Sequence, residues 1–238
     1  HQVGHCYRCK NIVEPFISQQ WFLSEKIAEN SIKETKKHNN FHPAHWINSY
    51  TAWMDELRPW CISRQLWWGH RIPVFTCDDC GHHWADKADE PEACPKCGSK
   101  KMTQDPDVLD TWFSSALWAM SPLGWGNNGK LTELYNETDM EDFYPNSLLI
   151  TGFDIMFFWV ARMMMMGEHF MGELPFKDIY MHALVRDEHG AKMSKSKGNV
   201  IDPLDMVEEH SADIIRFTLA YLAVQVRQNS LQMREATR

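Results

Sequence analysis

The sequence predicts an α/β fold: the second half of an open, doubly wound parallel sheet, with a cysteine knuckle inserted and a helical segment at the C-terminal end. Three observations carry this. Two apolar runs, Ser147-Leu-Leu-Ile-Thr151 and Asp178-Ile-Tyr-Met-His-Ala-Leu-Val185, are separated by a stretch of helical length, the strand, helix, strand order of a sheet covered on both faces. Four cysteines stand in two Cys-x-x-Cys pairs, Cys77/Cys80 and Cys94/Cys97, thirteen residues apart. Beyond the second apolar run come a lysine-rich loop and two stretches with helix-start signals.

In chain order, residues 1–59 predict helices over Glu25–Lys37 and Pro43–Leu57, and in the second of these Trp46, Tyr50, Trp53 and Leu57 recur at helical spacing. Leu66–Phe75 leads into the knuckle, which spans 76–104. After the strand at 147–151, Gly152 turns the chain into a helix over Ile155–Met166, where Met163 to Met166 are adaptable core filling. The run at 178–185 suits the middle of a parallel sheet. Asp202-Pro203 opens a short helix by a cap and a first-turn proline, and Ser211 caps a longer one with Ile215, Leu219 and Leu222 on one face. The chain thus divides into a helical stretch at 1–59, the sheet and knuckle at 60–180, and the lysine loop with its following helices at 181–238.

At 238 residues, 44% hydrophobic and 24% charged, the composition is that of an ordinary globular piece with one sizeable core. The longest apolar stretch, Ile155–Met166, is too short to span a bilayer and contains Arg162. A net charge of −8 is the wrong sign for gripping nucleic acid over a whole face. Any such contact must be local, through clusters such as Lys192/Lys195/Lys197 or Lys33/Lys36/Lys37, or made by domains outside this chain. The acidic run Asp86–Glu92 reads as solvating surface.

The cysteines point to metal. Zinc takes four thiolates in a tetrahedron, and two tight turns facing each other supply two sulfurs each. A disulfide pair or four unrelated core thiols are the competing readings, the first disfavoured in an intracellular enzyme. With Cys77, Cys80, Cys94 and Cys97 filling every position, such a zinc is structural. His82 and His83 are solvent-facing neighbours, and Cys61 is a small buried hydrophobe. Cys6-Tyr-Arg-Cys9 is a further pair with no partner pair in the chain.

The lysine loop runs Lys192-Met-Ser-Lys-Ser-Lys-Gly-Asn199. Its ammonium groups act as point charges on a polyphosphate, and Ser194, Ser196 and the backbone at Gly198 supply donors; a solvated basic loop is the bland alternative. Ligands of doubly wound sheets collect at the carboxyl ends of the strands, where Gly152-Phe153-Asp154, His182 and this loop all fall. Gly152 allows close approach to the backbone. Asp154 either accepts from ribose hydroxyls or caps its helix, and His182 either lines an adenine pocket or is a satisfied core histidine.

The order of letters carries a resemblance. Lys192 to Ser196 reads KMSKS and resembles the signature of class I aminoacyl-tRNA synthetases. Trp60-Cys-Ile-Ser-Arg-Gln-Leu-Trp-Trp-Gly-His-Arg-Ile-Pro73, the stretch Asp107–Ser115 and the stretch Ile150–Arg162 are similar to the valyl-tRNA synthetases; isoleucyl relatives differ after the shared Cys-Ile-Ser-Arg-Gln. The resemblance implies a Rossmann-like nucleotide-binding fold that activates valine with ATP and Mg²⁺ and passes it to tRNA(Val). It places Lys192 and Lys195 on the departing pyrophosphate, Met193, Ser194 and Ser196 on ATP, and Gly152, Asp154 and His182 on the adenylate. Trp112, Ile155 and Trp159 then wall the valine side chain, the rigid indole rings setting a depth that one more methylene overfills; without the motif match they read as ordinary core residues of a chain with 11 tryptophans. Such a pocket rejects a hydroxyl-bearing isostere weakly, and the valyl enzymes are the standard example. No side chain reads as nucleophile or general base, so catalysis is positioning and charge stabilisation.

The resemblance also implies that the chain is a fragment. A His-Ile-Gly-His type motif, an editing domain and an anticodon-binding domain are expected outside it. Residues 1–59 then follow the editing insertion, and Cys6 and Cys9 are half a zinc site whose other cysteines lie across it. The isolated chain is expected to be nearly inert, and the intact enzyme a monomer in the cytoplasm. The alternatives are an isoleucyl fragment, which needs other letters at 66–70 and 155–158, and a zinc-ribbon nucleic-acid module, which needs a basic rather than acidic 76–104.

Overall fold

A computed structural model describes residues 3–6, 9–38, 40–126, 139–187, 189–194 and 198–222. In chain order these form strands β1 (Phe22–Leu23), β2 (Phe41–His42), β3 (Trp60–Cys61), β4 (Ser63–Arg64), β5 (Val74–Cys77), β6 (His83–Ala85), β7 (Met102–Gln104), β8 (Val108–Leu109), β9 (Asn146–Gly152) and β10 (Phe176–His182). The α-helices are α1 (Glu29–His38), α2 (Trp46–Asp55), α3 (Thr111–Ser115), α4 (Asp139–Phe143), α5 (Ala161–Met171), α6 (Pro203–His210) and α7 (Ala212–Leu222). No helix of the described residues is long and apolar enough to cross a membrane.

The chain packs as two compact units, one of residues 1–24 and 59–110, the other of 25–58 and 111–238. Residues 25–58, read from sequence together with 1–24, therefore pack with the later chain, because the apolar face of α2 is covered there.

The first unit is built of small antiparallel pairings: β1 on β3, β4 on β8, and β6-β5-β7 forming the base of the knuckle. Its motif at 60–65 is held by polar contacts. Arg64 donates to the carboxylate of Asp110 at 2.7 Å and to the carbonyls of Cys61 and Ser63 at 2.9 and 2.8 Å, while the Trp60 indole donates to the same carboxylate at 3.2 Å. Asp110 is only 7% exposed, so an ion pair with this many donors satisfies its charge.

The second unit carries a parallel sheet in the order β2-β10-β9. Six residue pairs join β10 to β9, from Phe176↔Asn146 to His182↔Gly152, which puts both carboxyl ends at one level. β10 is the middle strand, as its apolar run predicts, but it spans 176–182 rather than 178–185. Phe176 is buried, whereas Ala183 and Val185 are exposed beyond the last pairing. The pairing of Phe41–His42 with Ile179–Tyr180 was not anticipated, since two residues between asparagine and proline carry no period. Asn40 ties this strand in by donating to the Phe176 carbonyl at 2.7 Å.

The helix predicted over 155–166 begins as a 3₁₀ turn at Phe153–Ile155, passes through a π-helical turn at Met156–Val160 and continues as α5. Met163 to Met166 are all buried in the core, so the first half of α5 is covered on every side, and unbranched methionines fill such a space without strain. The aromatic stripe of α2 meets this segment ring on ring: Trp46 on Phe153 at 5.6 Å and Trp53 on Phe157 at 5.1 Å, with the Arg162 guanidinium 5.2 Å over Trp53. Offset rings and a cation over an indole each add to the area buried. Asp202 caps α6 as predicted, accepting from Leu204 N–H at 2.9 Å with Pro203 in the first turn. Before α7, Ser211 takes φ +75° and its carbonyl accepts from Ile215 N–H; Ile215 is half-buried, Leu219 exposed.

Candidate active site and cysteine cluster

The two Cys-x-x-Cys turns are copies of one construction. The first cysteine's N–H bonds the carbonyl five residues on, Cys77 to His82 at 2.9 Å and Cys94 to Ser99 at 2.8 Å. Its carbonyl accepts from the glycine four residues on, Gly81 and Gly98, each at 2.9 Å. Those glycines stand at φ +66° and +75°, a left-handed conformation that costs a Cβ-bearing residue about 1–2 kcal/mol. The four sulfurs lie within 4.8 Å of one another, with Cys77 and Cys97 at 3.5 Å and Cys80 and Cys94 at 3.8 Å. A tetrahedron with Zn–S bonds of about 2.3 Å has edges of about 3.8 Å, so the cluster has the size of a thiolate-bound metal centre.

Its electrostatics agree. Burial pushes the Cys77 thiol up, but the N–H groups of Cys80 and Asp79 aimed at its sulfur outweigh this and lower it to about 7. Cys97 also faces a backbone donor, that of Ser99, yet the neighbouring Cys80 and Cys77 sulfurs push it up to about 12. Four thiolates at this spacing repel one another unless a cation sits among them. His82 is half-buried and stacks on Trp84 at 6.0 Å, and His83 is exposed and bonded to Thr76 at 2.8 Å; the candidate metal group among the described residues contains the four cysteines alone. Cys61 is half-buried, its thiol 3.8 Å from the Gln20 side chain.

Cys6 and Cys9 form a third turn of the same design. Cys6 N–H bonds Asn11 O at 2.8 Å, Lys10 N–H bonds Cys6 O at 2.9 Å, and Lys10 stands at φ +64°. Among the described residues of the turn, the left-handed one differs, lysine in place of glycine. The sequence signal was the Cys-x-x-Cys spacing; the lysine hid its likeness to the other two.

The other candidate residues gather at the carboxyl ends of β9 and β10. Gly152 closes β9, and a Cβ placed there meets Asp154 Oδ1 at 2.7 Å, Leu184 at 3.1 Å and His182 at 3.6 Å. Asp154 stands inside the 3₁₀ turn rather than at a cap position, and its carboxylate accepts from Lys192 Nζ at 2.9 Å. The lysine is 65% exposed and the aspartate 29%, so the contact sits at the rim of the site. His182, the last residue of β10, is exposed with Nδ1 2.8 Å from the Ala183 carbonyl, which removes the reading of a buried core histidine. Met193 and Ser194 are half-buried. Lys195 and Ser196, and with them Lys197, lie outside the described residues.

Trp112 on α3 stacks against Phe158 at 5.8 Å, and the Trp159 indole donates to the Ser115 carbonyl at 3.0 Å while meeting Trp118 at 5.8 Å. Ile155 ends the 3₁₀ turn, half-buried. Trp159 is therefore held by its polar edge to the same short helix that carries Trp112. Trp159 lies within the π-helical turn at 156–160. Of the second lysine cluster, Lys36 is paired with Asp55 at 2.9 Å and Lys37 with Glu34 at 3.5 Å, so carboxylates already offset two of its charges. The residues that sequence reasoning missed are Asp187 and the role of Asn199, whose side chains meet across the base of the lysine segment at 2.7 Å.

A parallel sheet with a lysine segment and a close-approach glycine at its carboxyl ends in one unit, and a four-cysteine knuckle in the other, define a class. Residues 6–232 match the family described as tRNA synthetases class I (I, L, M and V), and the chain belongs to it. It is similar to the valine–tRNA ligase of Nitratiruptor sp., 66% identical over 230 residues, and to that of Helicobacter pylori, 63% identical over 223 residues. These matches cover 95% and 93% of this chain but 26% and 25% of those enzymes; the chain spans about a quarter of the length of the curated relatives it matches. Among solved structures, the LeuRS of Agrobacterium radiobacter in a ternary complex with tRNA and LeuAMS superposes with TM-score 0.60 at 25% identity, over 76% of this chain and 27% of that one. The methionyl-tRNA synthetase of Mycobacterium tuberculosis bound by methionyl-adenylate gives 0.58 at 20% identity, over 91% and 36%, and shares the fold.

Proposed function

We propose that this chain is the segment of a valine–tRNA ligase that carries the pyrophosphate side and the valine pocket of the adenylation site. In the whole enzyme the valine carboxylate attacks the α-phosphate of ATP, pyrophosphate leaves, and valine then passes from the adenylate to tRNA(Val). The observation that carries the reading is the Lys192–Asp154 contact at 2.9 Å, set beside Gly152 at the carboxyl ends of two parallel strands. Open α/β sheets bind their ligands there. Two groups that each suit one end of a nucleotide, a carboxylate for ribose hydroxyls and an ammonium for phosphates, hold each other at this rim. An arriving nucleotide gives both a fuller set of partners.

Lys192 and Lys195 stabilise the charge that builds on the departing pyrophosphate, so they act more in the transition state than in the ground state. Met193, Ser194 and Ser196 line the phosphates, and His182 lies beside the adenine. Mg²⁺ arrives with the nucleotide and neutralises part of its charge. Trp112, Ile155 and Trp159 wall the valine side chain. The knuckle of Cys77, Cys80, Cys94 and Cys97 holds a structural Zn²⁺, and the turn at Cys6 and Cys9 supplies two sulfurs to a second zinc completed by residues outside this chain. The enzyme works as a monomer in the cytoplasm.

The test is valine-dependent ATP–pyrophosphate exchange by the full-length enzyme. Lys192→Ala should slow it by on the order of a hundredfold, the scale of losing one transition-state donor, with valine binding unchanged. An unaltered exchange rate would sink the reading.

A further inference from the structure

Beyond β10 the chain makes a narrow hairpin before reaching the lysine segment. Arg186 and Lys192 bridge antiparallel, Asp187 N–H donates to Ala191 O at 3.0 Å, and Gly190 N–H to Asp187 O at 2.9 Å. Two side chains close it. Asp187 Oδ1 accepts from Ala191 N–H at 2.7 Å and His189 N–H at 3.1 Å, and Oδ2 accepts from Asn199 Nδ2 at 2.7 Å. Asn199 in turn donates to the Lys192 carbonyl at 3.3 Å and accepts the Ser194 N–H at 2.9 Å. A residue ahead of the lysine segment thus grips the segment's last residue, and the latter grips the backbone on both sides of Met193.

We propose that Asp187 and Asn199 form a clamp that holds the backbone of Lys192 to Ser194 in register, making them positioning residues for the pyrophosphate chemistry. The inference rests on the phosphate-binding reading of Lys192. A lysine on a four-carbon stem is a point charge with little orientation of its own, so where its Cα is held decides what its ammonium reaches. The clamp has a single polarity. An ionised carboxylate only accepts, whereas an amide has one accepting and one donating end. Asn199 must turn its NH₂ toward Asp187 and the Lys192 carbonyl, and its oxygen toward Ser194. Turned over, it would set oxygen against carboxylate and NH₂ against N–H.

That polarity makes the pair separable from ordinary stability. Asp187→Asn sets an NH₂ against an NH₂, and Asn199→Asp sets two carboxylates at hydrogen-bond distance. Exchanging the two residues restores the match: the amide at 187 accepts from Ala191 and His189 and donates to the carboxylate at 199, which accepts from Ser194. The longest bond, to the Lys192 carbonyl, is lost and a carboxylate oxygen faces that carbonyl instead, so the recovery is partial.

In the full-length enzyme, each single substitution should lower kcat of valine-dependent pyrophosphate exchange by about tenfold to a hundredfold, the scale of small displacements of a reacting group. The KM for valine should stay within about twofold and the exchanged pair recover to within about threefold of the parent, as coupled sites do. Amide hydrogen exchange at Ala191 and Ser194, followed in the same proteins, should accelerate in the single variants and slow again in the exchanged pair. The clamp is overturned if those amides keep their protection in the single variants, or if the exchanged pair is as slow as they are. If Lys192→Ala alone leaves the rate unchanged, the phosphate-binding reading falls and the positioning role with it, whatever the amides show.

Discussion

The cysteine cluster and the lysine site are assembled in opposite ways. Each cysteine turn is closed by hydrogen bonds spanning four or five residues, and its one special requirement, a left-handed φ of +66° or +75°, is met by the glycine within the same motif. The lysine segment has short-range bonds of its own, from Asp187 and Asn199, but its site also needs partners far along the chain. Lys192 meets Asp154 across 38 positions, and Gly152 and His182 face each other because β9 and β10 pair in parallel register. A local turn keeps its geometry wherever the chain is cut, whereas a site at strand ends depends on the whole sheet. The turn at Cys6 and Cys9 sharpens the contrast: it has the hydrogen bonds of the other two with lysine at the strained position.

The largest expected effect lies in the cluster. Cys94→Ser should lower the metal content of this centre from one zinc per chain to near zero, because apparent zinc binding to structural sites is worth about 10–16 kcal/mol and rests on all four thiolates. Elemental analysis with thiol titration measures it, and retention of the metal would mean the four sulfurs are not its ligands. Next, Lys195→Ala in the full-length enzyme should slow pyrophosphate exchange by on the order of a hundredfold, with little change in valine binding. If the ring sets the depth of the proposed pocket, Trp159→Ala should do the reverse, weakening valine binding by on the order of tenfold and admitting isoleucine more readily; equilibrium binding of the two amino acids decides it. If both substitutions affected rate and binding alike, the division of labour would be wrong.

Smaller effects test how the turns and the clamp are held. Lys10→Gly should stabilise the Cys6 turn by about 0.5–1 kcal/mol, because relief of the left-handed Cβ strain exceeds the added backbone entropy of glycine. Urea unfolding followed by the reactivity of Cys6 reads it, and a loss of stability would mean Lys10 contributes more through its side chain than its φ costs. The bond from Asn199, and then that from Ala191 N–H, hold the Asp187 carboxyl below its ordinary 3.8. With the folded value depressed, its contribution to loop order is complete above 3.8 and is lost as pH falls through the lower folded value. A carboxyl-carbon NMR titration should place half-buried Asp187 below 3.8, and Asn199→Ala should raise it.

Much of the scaffold was legible because it is periodic or punctuated. The stripe of Trp46, Tyr50 and Trp53 marked α2, Asp202-Pro203 marked the start of α6, and the apolar run around Ile179 marked a middle strand. What was not legible has no local signature. Phe41–His42 becomes a strand only because β10 lends it an edge. The 3₁₀ and π-helical turns at 153–160 have the same apolar pattern as the regular helix predicted there. Asp187 looked like one more surface carboxylate, and only the return of the chain brings it onto Asn199.

By itself the sequence determined the letters of the family motifs, the α/β class and the four-cysteine knuckle, because each rests on residue types at short fixed spacings that backbone geometry converts directly into turns and faces. The tertiary structure alone decided the pairing of Lys192 with Asp154, the level at which Gly152 and His182 meet, and the clamp at the foot of the lysine segment. Those depend on strand register and on side chains twelve to thirty-eight positions apart, whose encounter is set by how the sheet and the buried methionine helix pack.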